Sequence, residues 1–155
     1  VNGVAAGAGS SLAMSCDIVV AAPAASFIQA FSKIGLIPDA GGTFLLAHRL
    51  GLARATALAM TGDKLSAAQA KEWGVVWEVA EDCVAAAEAL AQRLAAMPTQ
   101  ALVRTRHLLR DAMTSSFEAQ LQAERDAQSA LAKTHDYFEG VTAFLEKRAP
   151  VFKGA

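Results

Sequence analysis

The stretch Val1-Asn2-Gly3-Val4-Ala5-Ala6-Gly7-Ala8-Gly9-Ser10-Ser11-Leu12-Ala13 decides how this chain reads. A short apolar strand runs through a glycine-rich turn straight into a helix, whose first N–H groups have no acceptor within the helix. The helix dipole adds partial positive charge at that end, and the small residues let a ligand atom approach the backbone closely. Such a turn binds an anion, or an oxygen that gains negative charge during a reaction. No Gly-Lys-Ser/Thr follows the glycines, and Leu12 stands where a dinucleotide fingerprint needs its third glycine, so nucleotide-phosphate binding fits poorly. An oxyanion hole with the Ala8 N–H as donor fits better. The bland alternative, a glycine turn that merely allows tight strand-to-helix packing, stays open on this stretch alone.

Outward from the turn, residues 1–4 read as the end of a strand, Ala8–Ser15 as a helix and 17–21 as an apolar, β-branched strand. Strand, helix and strand imply a parallel crossover. Residues 26–30 form a candidate further strand, and an unusually apolar loop, Ile34-Gly35-Leu36-Ile37-Pro38-Asp39-Ala40-Gly41-Gly42-Thr43, follows. Helices are expected over 43–50 and 53–60, divided by Gly51, then from the capping box Ser66-Ala67-Ala68-Gln69 to Gly74, with a strand over 75–79. From Cys83 the pattern turns to helices alone, over 83–95, 99–113 and 117–133, with Pro98 and the box Ser115-Ser116-Phe117-Glu118 between them. A last helix opens at Asp136 and ends at Pro150. The composition shift divides the chain into a core, 1–82, and a helical extension, 83–155.

The 155 residues, 54% hydrophobic and 19% charged, suffice for a globular core. The many alanines and the scarcity of aromatic residues point to close-packed helices with apolar surface for subunits to cover, so an oligomer is expected. A formal net charge of -1 gives no basic footprint for nucleic acid and no polybasic signal for an anionic membrane. Cys16 and Cys83 stand far apart, without a zinc or redox spacing, and read as buried thiols. No metal site is expected. Without a signal peptide or a membrane-length apolar run, the expected location is cytoplasmic. Val1 lies within a strand, so residues upstream of it are also expected.

The second chemical candidate is Asp39, an acid between Pro38 and small residues in the apolar loop. Partial shelter from water would make its carboxylate a better proton acceptor near neutral pH, as removal of a proton beside a carbonyl requires. Its bland alternative is a cap for the helix starting near Thr43, or a turn stabiliser. His48, His107 and His135 have no partner motif and read as structural or surface residues, while Trp73 and Trp77 are expected in the core or against a subunit.

The segment Val1-Asn2-Gly3 through Gly7-Ala8-Gly9, with Leu12-Ala13 and Cys16-Asp17-Ile18, resembles the oxyanion-hole segment of the crotonase (enoyl-CoA hydratase/isomerase) superfamily. The likeness continues through Gly35-Leu36-Ile37-Pro38, Gly41-Gly42-Thr43, Thr61-Gly62, Leu65-Ser66-Ala67 and Glu139-Gly140-Val141-Thr142-Ala143-Phe144-Leu145-Glu146-Lys147-Arg148. It implies an α/β fold: the C-terminal part of a ββα spiral core over 1–82, then a helical trimerisation and CoA-contact region over 83–155. The two glutamates of the hydratase pattern are replaced by Ser11 and Phe31, and an acid appears at Asp39 instead. This combination looks most like the isomerases of phenylacetate degradation that convert 2-(1,2-epoxy-1,2-dihydrophenyl)acetyl-CoA to the oxepin-CoA. Δ3,Δ2-enoyl-CoA isomerases and hydratase-like enzymes of fatty-acid oxidation come next.

The resemblance implies an acyl-CoA thioester substrate, with no separate cofactor because CoA is part of the substrate. Its carbonyl oxygen would be held by the Ala8 N–H and by a second donor upstream of Val1, with Asp39 as the single acid/base. It also implies a homo-trimer or hexamer in which Phe144 and Lys147 meet the CoA adenine and phosphates of a neighbouring subunit. Lys147 suits a phosphate as a mobile point charge, although within Glu146-Lys147-Arg148 a solvated helix face explains it equally well. Two other function classes remain: a truncated, non-catalytic binding protein of this fold, and RNA binding, against which the neutral charge balance speaks.

Overall fold

The computed structural model describes residues 1–155, which form two compact units, Val1–Glu88 and Ala89–Ala155. The first unit holds β1 (Val4–Ala6), α1 (Ala8–Ser15), β2 (Val20–Ala21), β3 (Ser26–Ile28), a 3₁₀ turn (Ala30–Ile34), α2 (Gly42–Leu50), α3 (Leu52–Thr61), β4 (Lys64–Ser66), α4 (Ala67–Glu72) and β5 (Glu78–Val79). The boundary falls within α5 (Cys83–Ala95). The second unit continues through α6 (Thr99–Asp111), α7 (Phe117–Leu131) and α8 (His135–Glu146). The fold is mixed α/β and mostly helical.

In the first unit β1 pairs parallel with β3, which pairs antiparallel with β4, so Ala5, Phe27 and Leu65 lie side by side across the sheet. All three are buried, and each β1 neighbour of Ala5 is exposed, as the two-residue period of a strand requires. A second sheet pairs β2 parallel with β5. The parallel crossover expected between the first two strands is limited to Val1, because β1 and β2 themselves belong to different sheets. Val1 does hydrogen-bond beside β2, its N–H donating to Val20 O and its carbonyl accepting from Ala22 N, each at 2.8 Å. The chain then leaves for β3, where Ser26 N donates to Gly3 O at 3.2 Å, because there Ala5 can bury against Phe27.

Met14 of α1, Leu46 and Leu50 of α2, and Ala55 and Leu58 of α3 close over this sheet with Phe27, Leu65 and Val75. Each large side chain so buried contributes about 1.5–3 kcal/mol of transfer free energy. Ser66 ends β4 and caps α4 at once, its Oγ accepting from Gln69 N at 3.2 Å. The strand expected over 75–79 shortens to two residues, since Val75 and Val76 enter the core without a ladder partner. Trp73 packs against the core beneath the Arg54 guanidinium, 4.6 Å from its ring centroid, while Trp77 is exposed and lies outside the core. Cys83 is buried, with Sγ 3.6 Å from Val1 O, whereas Cys16 is exposed, one residue past the last turn of α1.

In the second unit α6 and α7 form a helical hairpin tied by Gln120 Nε2, which donates to Leu108 O at 3.1 Å. Neither helix buries a residue, so Leu109, Phe117 and Leu121 stand exposed. Ser116, rather than Ser115, caps α7 by accepting from Ala119 N at 3.2 Å. Thr134 caps α8 through Tyr137 N at 3.2 Å. That helix stops at Glu146, before Pro150, because Lys147 takes a left-handed conformation with φ 55°. No helix is long and apolar enough to cross a membrane.

Candidate active site

Gly7 turns the chain from β1 into α1 with φ 53°, a conformation that glycine adopts without strain. Its N–H donates to Ile28 O at 2.8 Å, and its carbonyl accepts from Ser10 N and Ser11 N at 3.0 and 3.2 Å. The N–H groups of Ala8 and Gly9 take no backbone acceptor, and both residues are exposed. Beneath the turn lies the buried Phe31 ring, which a Cβ on Gly7 would meet at 3.4 Å. Gln29, also buried, donates from Nε2 to Ser10 Oγ at 3.2 Å and so ties the first turn of α1 to the end of β3.

The loop carrying Asp39 rests on the same helix. A Cβ on Gly42 would stand 2.6 Å from Ser11 Oγ and 3.1 Å from Pro38 Cβ, so only glycine lets α2 start this close to α1. Ser11 lies three residues after Ala8, on the same side of α1. Asp39 is followed by two left-handed residues, Ala40 at φ 50° and Gly41 at φ 76°. For an alanine that costs about 1–2 kcal/mol. Strain of this kind, beside an acid, is typical of a residue held for function. The Asp39 carbonyl accepts from Gly42 N at 2.7 Å, but its carboxylate caps nothing: α2 has no side-chain cap.

One expectation is corrected here. Asp39 is exposed, not sheltered, because the apolar residues before it, Ile34, Leu36 and Ile37, themselves point outward at 60–79% exposure while Pro38 turns in against Gly42. The sequence had also given no role to Gln29 and Ser10. A glutamine within a short, otherwise apolar strand was the available signal.

Phe144 and Lys147 belong to the second unit and stand one turn apart at the end of α8. Phe144, 82% exposed, lines an apolar cleft of about 410 Å³ with Pro98, Leu131, Tyr137, Val141 and Phe152. Lys147 is exposed at the left-handed cap. His48 hydrogen-bonds Phe44 O at 2.8 Å and stacks on its ring at 3.8 Å, which marks it as a local helix contact. No group of three or more His, Cys, Asp or Glu side chains is placed to hold a metal ion.

A family model described as enoyl-CoA hydratase/isomerase matches residues 1–155. The chain belongs to the enoyl-CoA hydratase/isomerase family. Its relatives within that family include the 1,2-epoxyphenylacetyl-CoA isomerase of Escherichia coli (strain K12), 51% identical over 99% of this chain and 60% of that protein. The trans-2-decenoyl-[acyl-carrier-protein] isomerase of Streptococcus mutans is 39% identical over 99% of this chain and 59% of its own length. The crystal structure of an enoyl-CoA hydratase from Polaromonas sp. JS666 superposes with a TM-score of 0.94 at 39% identity, covering 97% of this chain and 60% of that one. The chain thus spans about 60% of the length of these family members. The named activities of these proteins include both isomerase and hydratase.

Proposed function

We propose that this chain serves an acyl-CoA isomerase of phenylacetate-type aromatic degradation, converting 2-(1,2-epoxy-1,2-dihydrophenyl)acetyl-CoA to the oxepin-CoA. The observation that carries the reading is the packing of the Asp39 loop on α1 through Gly42, Ser11 and Pro38, in a site where the α1 and 3₁₀ positions of the two hydratase glutamates hold Ser11 and Phe31. One carboxylate, on a loop that packs against the helix of the oxyanion donor, suits a proton shuttle and not the addition of water, which needs two. The identity to the epoxyphenylacetyl-CoA isomerase points the same way.

In this reading the Ala8 N–H polarises the thioester carbonyl, and the negative charge that collects on its oxygen is held by the helix N-terminus. With a 3-enoyl thioester, Asp39 takes the proton from the carbon next to the carbonyl and returns it at the far end of the conjugated system, acting as base and then as acid. With the ring epoxide the same carboxylate assists opening of the strained ring. Residues 1–82 act as the C-terminal part of the spiral core and 83–155 as the trimerisation region of a trimer or hexamer. There Phe144 and Lys147 receive the CoA adenine and phosphates of a neighbouring subunit.

The test is Asp39→Asn in the full-length enzyme, with product analysis on ring-epoxide and 3-enoyl thioesters. The amide keeps the size of the side chain and cannot accept the proton, so turnover falls by at least about 100-fold while binding of the thioester is retained. Equal turnover in the variant would move the chemistry to another residue. The exposure of Asp39 favours one second reading, in which the 155-residue chain alone binds but does not catalyse. Isomerase turnover by the chain alone would refute it.

A further inference from the structure

The last residues of the chain fold back along α8 and are held there by two of its carboxylates. Asp136, 5% exposed, accepts from Lys153 N on Oδ1 and Gly154 N on Oδ2, both at 2.8 Å, while its own N–H donates to Ala155 O at 3.1 Å. Glu139 accepts from Val151 N at 2.8 Å and from both terminal nitrogens of Arg148 at 2.6 and 2.9 Å. Asp136 and Glu139 are three residues apart and so share one helix face. Gly154 takes a left-handed φ of 75°, which turns the chain on to Ala155, whose carbonyl accepts from Asp136 N. Between the two clamps the Phe152 ring lies over Gly140, where a Cβ would meet it at 3.5 Å. Phe152 is also a wall of the apolar cleft that contains Phe144.

The side-chain cap of α8 is Thr134, so these two carboxylates are not its N-cap. A buried carboxylate accepting two backbone N–H groups instead fixes the position of a segment, since charge-assisted bonds are about twice as strong as neutral ones. We propose that Asp136 and Glu139 are positioning residues: they pin residues 151–155 against α8 so that Phe152 stands as one wall of the cleft that receives the nucleotide end of the acyl-CoA thioester. The identity of that occupant rests on the reading of Phe144 given above. The clamp itself rests on the hydrogen bonds alone.

The experiment uses the full-length enzyme, with coenzyme A and the 3-enoyl thioester as probes. Asp136→Asn replaces one acceptor oxygen by an NH₂ that faces a backbone N–H. Amide exchange at Lys153 and Gly154 is expected to accelerate at least tenfold, with KM for the thioester and Kd for coenzyme A rising about fivefold and kcat held within twofold. Should that variant fail to fold, Phe152→Ala, which leaves both clamps in place, is expected to raise KM and Kd equally. Accelerated exchange with unchanged Kd, or unchanged Kd in Phe152→Ala, overturns the inference. Phe144→Ala separates the two ideas. If it alone weakens binding, the strap has no positioning role, and if no variant weakens binding, the assignment of the cleft falls together with the inference.

Discussion

Replacing Gly42 by alanine perturbs the contact that brings the Asp39 loop onto α1, and its cost can be worked from the geometry. The new Cβ would lie 2.6 Å from Ser11 Oγ and 3.1 Å from Pro38 Cβ, and neither neighbour is the far end of a flexible chain. Inserting one methyl group into such packing costs about 1–3 kcal/mol. Against this stands the better helix propensity of alanine, worth at most about 1 kcal/mol. A net loss of about 1–2 kcal/mol follows for Gly42→Ala. Ser11→Ala acts in the opposite sense. Ser11 Oγ is buried and has no hydrogen-bond partner, so its removal relieves a desolvation cost of about 1–3 kcal/mol and also opens the space the new methyl needs. The double variant should therefore regain most of what Gly42→Ala loses, leaving only the 3.1 Å contact with Pro38. Urea unfolding followed by tryptophan fluorescence is the assay. Both tryptophans, Trp73 and Trp77, lie in the Val1–Glu88 unit, so the signal reads the unit that contains the perturbation. A Gly42→Ala variant as stable as the parent, or equally destabilised with and without Ser11, would refute the packing argument.

Two further predictions concern charge and thiols. The Arg148 guanidinium, and then the Val151 N–H, hold the Glu139 carboxyl down at about 2 from an ordinary value of 4.5. A carboxylate with a lowered folded pKa contributes stability that is present above the unfolded value and lost as pH falls through the folded one. The hold on Val151 should thus persist from neutral pH to 4.5 and fail on approach to 2, as read by carboxyl NMR; a titration midpoint between 4 and 5 would remove the clamp from the account. Cys16 is exposed and Cys83 buried, so a thiol reagent should label one cysteine per native chain and two after denaturation. Rapid native labelling of Cys83 would contradict its burial beside Val1.

Much of the fold could be read from the sequence because its signals are local. The bounds of α1 follow from glycines before it and Cys16 after it, those of α5 from periodicity between Cys83 and Pro98, and Ser66 caps where its spacing to Gln69 predicts. Short strands were legible in place but not in length: β2, β3 and β5 fall inside the stretches expected as strands and are shorter than those. β4 went unread, since it is three residues long and shares Ser66 with the next helix, which leaves no alternation to detect. Cys16, which reads as a buried thiol, is exposed because burial is a property of the tertiary neighbourhood, while composition carries only averages. The candidate site divides the same way. Gly7, Ala8 and Asp39 stand in recognisable strings, but Gln29 serves Ser10 across nineteen residues and Asp136 serves the tail across seventeen, and no local pattern marks a partner so distant.

The exposure of Asp39 and the apolar character of its loop belong to one argument. A carboxylate that takes a proton from carbon and gives the same proton back must not exchange it with bulk water in between, yet water reaches Asp39 in this chain. Ile34, Leu36 and Ile37 of its own loop, with Leu12 on α1 and Phe44 on α2, are each at least 60% exposed. Covering an apolar side chain releases about 1.5–3 kcal/mol, so a body that settles on this rim, acyl chain or protein, is held there by the same burial that removes water from the carboxylate. The backbone already carries its share of the arrangement. Ala40 stays left-handed at a cost of about 1–2 kcal/mol, and Gly42 has given up its side chain, so that the backbone of the Asp39 loop is set before anything binds. What the loop lacks in shelter a partner or substrate can supply, whereas its backbone course is already built in.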